Sequence, residues 1–177
     1  MRKYNIGDLY DDGTMRGVVC AVHDHGLHGT ILSLDESAEP LAWVRGETEG
    51  RLYMRCDSRN DGRDNMFRLI CRPEWRESYP ALFWCYSHGS KWYLPAIEEL
   101  SHLLLNEEVY STVNKTLTEV GGVPLGERHS SSGYWSSTDS NHEVCGTFTA
   151  YCFRMYYMQE HRTDKFEKYF VRAVARF

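Results

Sequence analysis

No stretch of this 177-residue chain approaches the roughly 18 consecutive apolar residues of a transmembrane helix, so no membrane insertion is expected. Nor is there an excess of positive charge. The 20 Lys and Arg residues are mixed along the chain with 25 Asp and Glu, for a formal net charge of -5, and nothing points to nucleic acid. The start, Met1 to Asp8, has early cations but no apolar run behind them, so it does not read as a signal peptide. A role outside a cell would then require a phage particle, a fusion, or a leader outside this chain. The six cysteines include no C-x-x-C pair, which argues against a structural zinc site. A chain of this length buries a core without covalent staples, so free thiols are expected in place of disulfides. G-x-S-x-G, Walker and H-E-x-x-H motifs are all missing, and no carboxylate pair stands out from the surface background. The sequence therefore assigns no catalytic residue, no metal ligand and no cofactor.

What is present reads as one domain, residues 1–177, with ordinary fractions of hydrophobic (42%) and charged (25%) residues for a globular protein. Gly17–Val22 and Thr30–Leu34 are short β-branched runs joined by a polar loop, His23 to Gly29. That loop holds the densest set of metal-ligand types, His23, Asp24, His25 and His28, but a Gly-containing polar turn is ordinary surface composition. Residues 45–62 are polar and read as a surface excursion. A short helix carrying Met66, Leu69 and Ile70 follows, with Pro73 stopping it. Ile97, Leu100, Leu103 and Leu104 mark a helix with Pro95 in its first turn. Asn106 caps another helix, bearing Val109, Val113, Leu117 and Val120, which Gly121 and Gly122 end. Strands are expected at Tyr134–Thr138, Thr147–Tyr157 and Tyr169–Phe177, with Met158–Lys168 a polar loop. Cys145 and Cys152, with Arg154 nearby, read as semi-apolar strand residues and not as a reactive pair.

Aromatic residues crowd the C-terminal quarter, where Tyr151, Tyr156, Tyr157, Phe166 and Tyr169 alternate with His161, Arg162, Asp164 and Lys165. Tyr and Arg supply large contact area at low entropic cost, the usual make-up of binding surfaces. Phe148, Phe153, Phe170 and Phe177 read instead as core.

Four blocks occur in order: Gly17-Val-Val with Gly29-Thr-Ile-Leu-Ser-Leu34, Trp92-Tyr-Leu-Pro-Ala96-Ile-Glu-Glu-Leu100, Tyr134-Trp-Ser-Ser-Thr138 and Val171-Arg-Ala-Val174. In this order they resemble the bacterial and phage C-type-lectin-like domains related to the formylglycine-generating-enzyme fold, in particular the variable proteins of diversity-generating retroelements. The resemblance implies an α+β C-type-lectin-like fold of short twisted antiparallel strands with two to three flanking helices. It implies a non-enzymatic receptor-recognition or adhesion protein, with a variable ligand-binding region at about 134–177. The ligand would be macromolecular, a cell-surface protein or glycan, and the location the surface of a phage particle or bacterial cell. An invariant lectin-like or fimbria-associated adhesion domain that binds glycan is the alternative.

On this resemblance Trp135, Ser136, Ser137, Ala150, Arg172, Ala173 and Val174 belong to a fixed framework, and 140–149 and 156–169 to the displayed face. The ligand-binding residues expected in the region 134–177 are Asn141, His142, Glu143, Thr147, Thr149, Tyr151, Tyr156, Tyr157, Gln159, His161, Arg162, Asp164, Phe166 and Tyr169. Adenine-only mutagenesis of asparagine codons cannot yield Met158, Gln159, Glu160, Lys165 or Glu167. Such residues are fixed, come from other template codons, or mark a relative outside any active retroelement. The Arg- and Asn-containing motif of the related enzymes is not recognisable.

Overall fold

A computed structural model of the chain describes residues 2–144 and 146–177. The N-terminal runs form a meander of β1 (Leu9–Asp11), β2 (Arg16–His23) and β3 (His28–Leu32). The β2–β3 loop is tighter than its composition suggested, because one 3-10 turn, Asp24–Gly26, makes the reversal. Gly26 has φ +84, and a Cβ there would lie 2.3 Å from the Tyr4 carbonyl oxygen, so only glycine fits.

The middle of the chain runs through β4 (Leu41–Ala42), α1 (Glu47–Gly50), α2 (Gly62–Ile70), α3 (Trp75–Ser78) and α4 (Pro80–Tyr86). β5 (Trp92–Tyr93), α5 (Ile97–Leu105) and α6 (Glu107–Glu119) follow. Asp61 caps α2 and Asn106 caps α6, each carboxylate or amide oxygen accepting two backbone N–H bonds. α2 ends at Ile70 with Cys71 as its C-cap, two residues before Pro73, where a proline stop is expected. Pro95 lies outside α5, whose N-cap is Ala96. Glu99 reaches back from the first turn to accept from the Ala96 and Gly62 N–H groups, at 2.8 and 3.1 Å. Residues 45–62 are not wholly surface either, since Met54 and Cys56 turn inward and are buried against the C-terminal sheet.

That sheet comprises β6 (Gly133–Val144), β7 (Thr147–Arg154) and β8 (Gln159–Asp164). Three expectations are corrected here. Segment 158–168 is not all loop, because most of it is β8, paired residue by residue with β7. The strand expected to reach Tyr157 stops at Arg154. The closing stretch 169–177 is two strands, β9 (Lys168–Tyr169), which pairs with β4, and β10 (Val174–Arg176). β10 enters the N-terminal sheet between β3 and β5, giving the order β1-β2-β3-β10-β5. Helices and antiparallel sheets occupying separate stretches of chain make this an α+β architecture.

One core joins these parts. Trp43 and Trp135 are fully buried, and each indole N–H donates to a carbonyl, that of Ser136 at 2.9 Å and that of Leu41 at 2.7 Å. The buried stripe of α5, Ile97, Leu100, Leu103 and Leu104, contributes about 1.5–3 kcal/mol per side chain.

His88 ties the end of α4 to the loop after β3. Its Nε2 lies 2.9 Å from Asp35 Oδ1 and its Nδ1 3.0 Å from the Trp84 carbonyl oxygen. The Asp35 hydrogen bond raises the His88 value above its ordinary 6.5, although burial opposes it. Burial pushes Asp35 up, but the His88 hydrogen bond and charge outweigh it and hold the carboxyl below 3.8. A raised histidine contributes stability below its unfolded value and loses it as pH rises through the folded one. A lowered aspartate contributes above its unfolded value. Thermal melts of wild type and His88→Gln should therefore differ most between pH 3.8 and 6.5 and converge as pH rises further.

Candidate functional site

The polar block on β6 makes sense only in three dimensions. Ser136 to Ser140 are all buried, although none is apolar. The Ser137 N–H donates to the Pro95 carbonyl, the Asp139 N–H to that of Cys56 and the Thr138 hydroxyl to that of Ser58, at 2.8, 2.8 and 3.0 Å. Asn65 of α2 donates its amide to the Ser137 hydroxyl at 3.1 Å. This strip is the seam that clamps loop 53–59 and two helices onto the sheet, and it fixes what stands above it.

Behind the seam Lys165 is fully buried. Its Nζ lies 2.7 Å from Asp139 Oδ1, 2.9 Å from the Leu52 carbonyl and 4.7 Å from the Trp43 ring centroid. Burial pushes Lys165 down and Asp139 up, and their mutual attraction pulls each back. Lys165 therefore does not belong to the displayed alternation of aromatic and charged residues.

The cross-strand register sorts the remaining side chains. Tyr151 stands opposite Arg162 and Thr149 opposite Asp164 on one face of the β7–β8 pair. Cys152 opposite His161 occupies the other face. Above Tyr151 the Arg59 guanidinium stacks at 5.0 Å, held by Glu98 at 2.9 Å and by Glu160. Between loop 53–59 and the sheet lies a shallow cavity of about 270 Å³, whose rim includes Tyr53, Asp57, Arg59, Asn141, Tyr151 and Arg162. Tyr53 donates its hydroxyl to Asp57 and packs on Phe148 at 5.7 Å. Burial and Asp57 push its phenol up to about 12, so it stays a neutral donor.

The fourteen expected ligand-binding residues are thus dispersed. Asn141, His142 and Glu143 are exposed at the end of the β6–β7 hairpin, with Thr147 half-buried across from them. Tyr151 and Arg162 line the cavity, while Asp164 turns in to accept the Phe166 N–H at 2.8 Å. Phe166, 39% exposed, covers Gly50, where a Cβ would sit 2.4 Å from the ring. Tyr156 and Tyr157 are 60% and 59% exposed and pack edge to face, but in the turn after β7. That turn is about 20 Å from the hairpin end, since a strand advances ~3.3 Å per residue. Gln159 is exposed beside it. His161 is half-buried on the opposite face, its value lowered by burial and by Arg154 and Arg162.

Two expected site residues are structural. Thr149 is 1% exposed, and its hydroxyl donates to the His142 carbonyl at 3.0 Å, bracing the hairpin from inside. Tyr169 packs edge-on to Trp135 at 5.0 Å and accepts from Arg154 at 3.1 Å. Phe148 is half-buried beside Tyr53 and stands apart from the main core. Tyr53, Asp57 and Arg59 are the residues that sequence reasoning missed. Their segment reads as polar loop, and its approach to β7 is a long-range event without local signal.

Thiol chemistry gains nothing from this arrangement. Burial pushes Cys152 up to about 11 despite Arg154, and Cys20 and Cys56 up to about 12, so these thiols stay protonated. Cys145 lies outside the described residues. Among the described residues, no three His, Cys, Asp or Glu side chains gather as a metal site, and His23, Asp24, His25 and His28 do not converge on one.

No known family model matches this chain, and no curated protein does either.

Proposed function

We propose that the chain is a non-enzymatic recognition protein, a C-type-lectin-like scaffold that displays its C-terminal region to a macromolecular ligand on a cell surface. The observation that carries this is the Arg59–Tyr151–Arg162 cluster. It sets guanidinium and aromatic surface, with the Asp57 carboxylate, around an open cavity, over a seam whose buried polar groups are all internally bonded. Such a base tolerates change in the residues above it, as a diversified or adaptable surface requires. The entry of the last strand into the N-terminal sheet, with a separate antiparallel sheet carried between, supports the lectin-like reading. The displayed surface is drawn as the cavity rim and the hairpin end, with Tyr156 and Tyr157 as a second, distant patch.

Wild-type protein applied to a glycan array and to immobilised bacterial cells tests this. On whichever surface retains it, Arg162→Glu and Tyr151→Ala should each lower retention by about tenfold, as expected for central aromatic and Arg anchors. Tyr156→Ala/Tyr157→Ala should leave stability within about 0.5 kcal/mol, because both rings are exposed. Retention unchanged by the cavity variants would remove the cavity from the binding surface. A near-copy of the 3′ end of the gene, differing mainly at adenines beside a reverse-transcriptase gene, would establish diversification.

A further inference from the structure

A second cavity, of about 290 Å³, lies at the edge of the five-stranded sheet, away from the cavity over β7. Met66, Phe67 and Ile70 of α2 form one wall, and Tyr86 of α4 with Trp92 and Tyr93 of β5 the other. Phe67 is 58% exposed, an unusual setting for a phenyl ring in a chain whose other phenylalanines are mostly covered. The polar groups at the mouth are Arg63, Lys91 and the Ser90 hydroxyl; no carboxylate lines the cavity. Among the described residues neither cation is in an ion pair. Arg68 and Arg72, also on or just after α2, are each bound to an acid, Asp64 and Glu49. In a chain of net charge -5, two cations outside any close ion pair at the rim of an aromatic slot make a local exception to the overall field, although Lys91 also lies in the field of the Asp12 carboxylate.

We infer that this slot binds a small carboxylate with an aromatic or branched-aliphatic body. The volume is at the lower limit of small-molecule sites and too small for a helix or an extended peptide face. A second copy of the chain would bring two more cations against the first two, so the face repels itself. An amine would meet the same repulsion, and a neutral apolar body would engage neither cation. A carboxylate satisfies them and the Ser90 hydroxyl together, while its body replaces water against Phe67 and Trp92. Because the pair is exposed, salt should weaken binding over the Debye length of about 8 Å at physiological strength. The proposal is independent of the surface proposed above.

The test is an NMR titration with 3-phenylpropionate, its primary amide and acetate, following the Trp92 indole N–H. Phenylpropionate should give saturable shifts, with the amide at least fivefold weaker and acetate producing none; removing both cations in Arg63→Gln/Lys91→Gln should weaken phenylpropionate about tenfold. Both residues are exposed, so this variant should keep the wild-type melting temperature. Ile70→Trp should fill the slot and abolish the shifts. Equal binding of acid and amide, shifts that survive Ile70→Trp in a folded protein, or no saturable shift in wild type would overturn the proposal.

Discussion

Lys165→Met is expected to lower the unfolding free energy by about 3–5 kcal/mol, measured as a drop in urea midpoint. Methionine matches the length and packing of the lysine stem, so the loss reports the charge. Without the ammonium, Asp139 stays fully buried with only the Met54 and Ser140 N–H groups as donors, and the Leu52 carbonyl loses its partner. Removing one member of a buried pair leaves an uncompensated charge, whereas removing both leaves none. Lys165→Met/Asp139→Leu should therefore recover most of the stability. A single variant as stable as wild type would show that the pair is held as neutral groups. The damage should also spread to the cavity, because loop 53–59 is anchored through the same seam.

Arg172→Met should cost a comparable 3–5 kcal/mol, by the same kind of measurement. Arg172 is fully buried, and its guanidinium donates to the Ser33 and Asp35 carbonyls, each at 3.0 Å, to that of Val123, and to Glu36 at 3.2 Å. One side chain thus joins the loop after β3, the loop after α6 and the approach to β10. Lysine cannot span all four acceptors with a point charge, so Arg172→Lys should recover only part of the loss. Full recovery by lysine would mean that charge alone matters there and the planar fork does not.

Where residues contact neighbours close in sequence, the chain was readable. Ile97 to Leu104 and Val109 to Leu117 repeat at helical spacing, Asn106 is a cap between them, and both helices stand where the pattern placed them. β8 was missed for a physical reason. Gln, Glu, His, Arg, Thr and Asp carry no hydrophobic alternation, and the strand exists because β7 supplies its backbone partners. Lys165 and Thr149 misled in the opposite direction: their polarity suggests surface, but partners distant in sequence draw them inside. Asp139 and Lys165 are legible as a pair only once β6 and the end of β8 are known to meet. The cavity rim needed the same knowledge, since a third of its lining comes from loop 53–59.

The position of β10 bears on how the molecule is made. It is the last strand in the chain, yet it lies inside the five-stranded sheet, between β3 and β5. Until it arrives, β3 carries an open edge bearing Thr30, Ile31 and Leu32, and β5 has no strand beside it. A growing chain on the ribosome cannot close this sheet until residues 174–176 have emerged, long after β1 to β3. Such distant pairings slow folding, and an unpaired apolar edge invites pairing with other chains. Loss or displacement of β10 would leave that edge bare, making aggregation the characteristic failure of this fold.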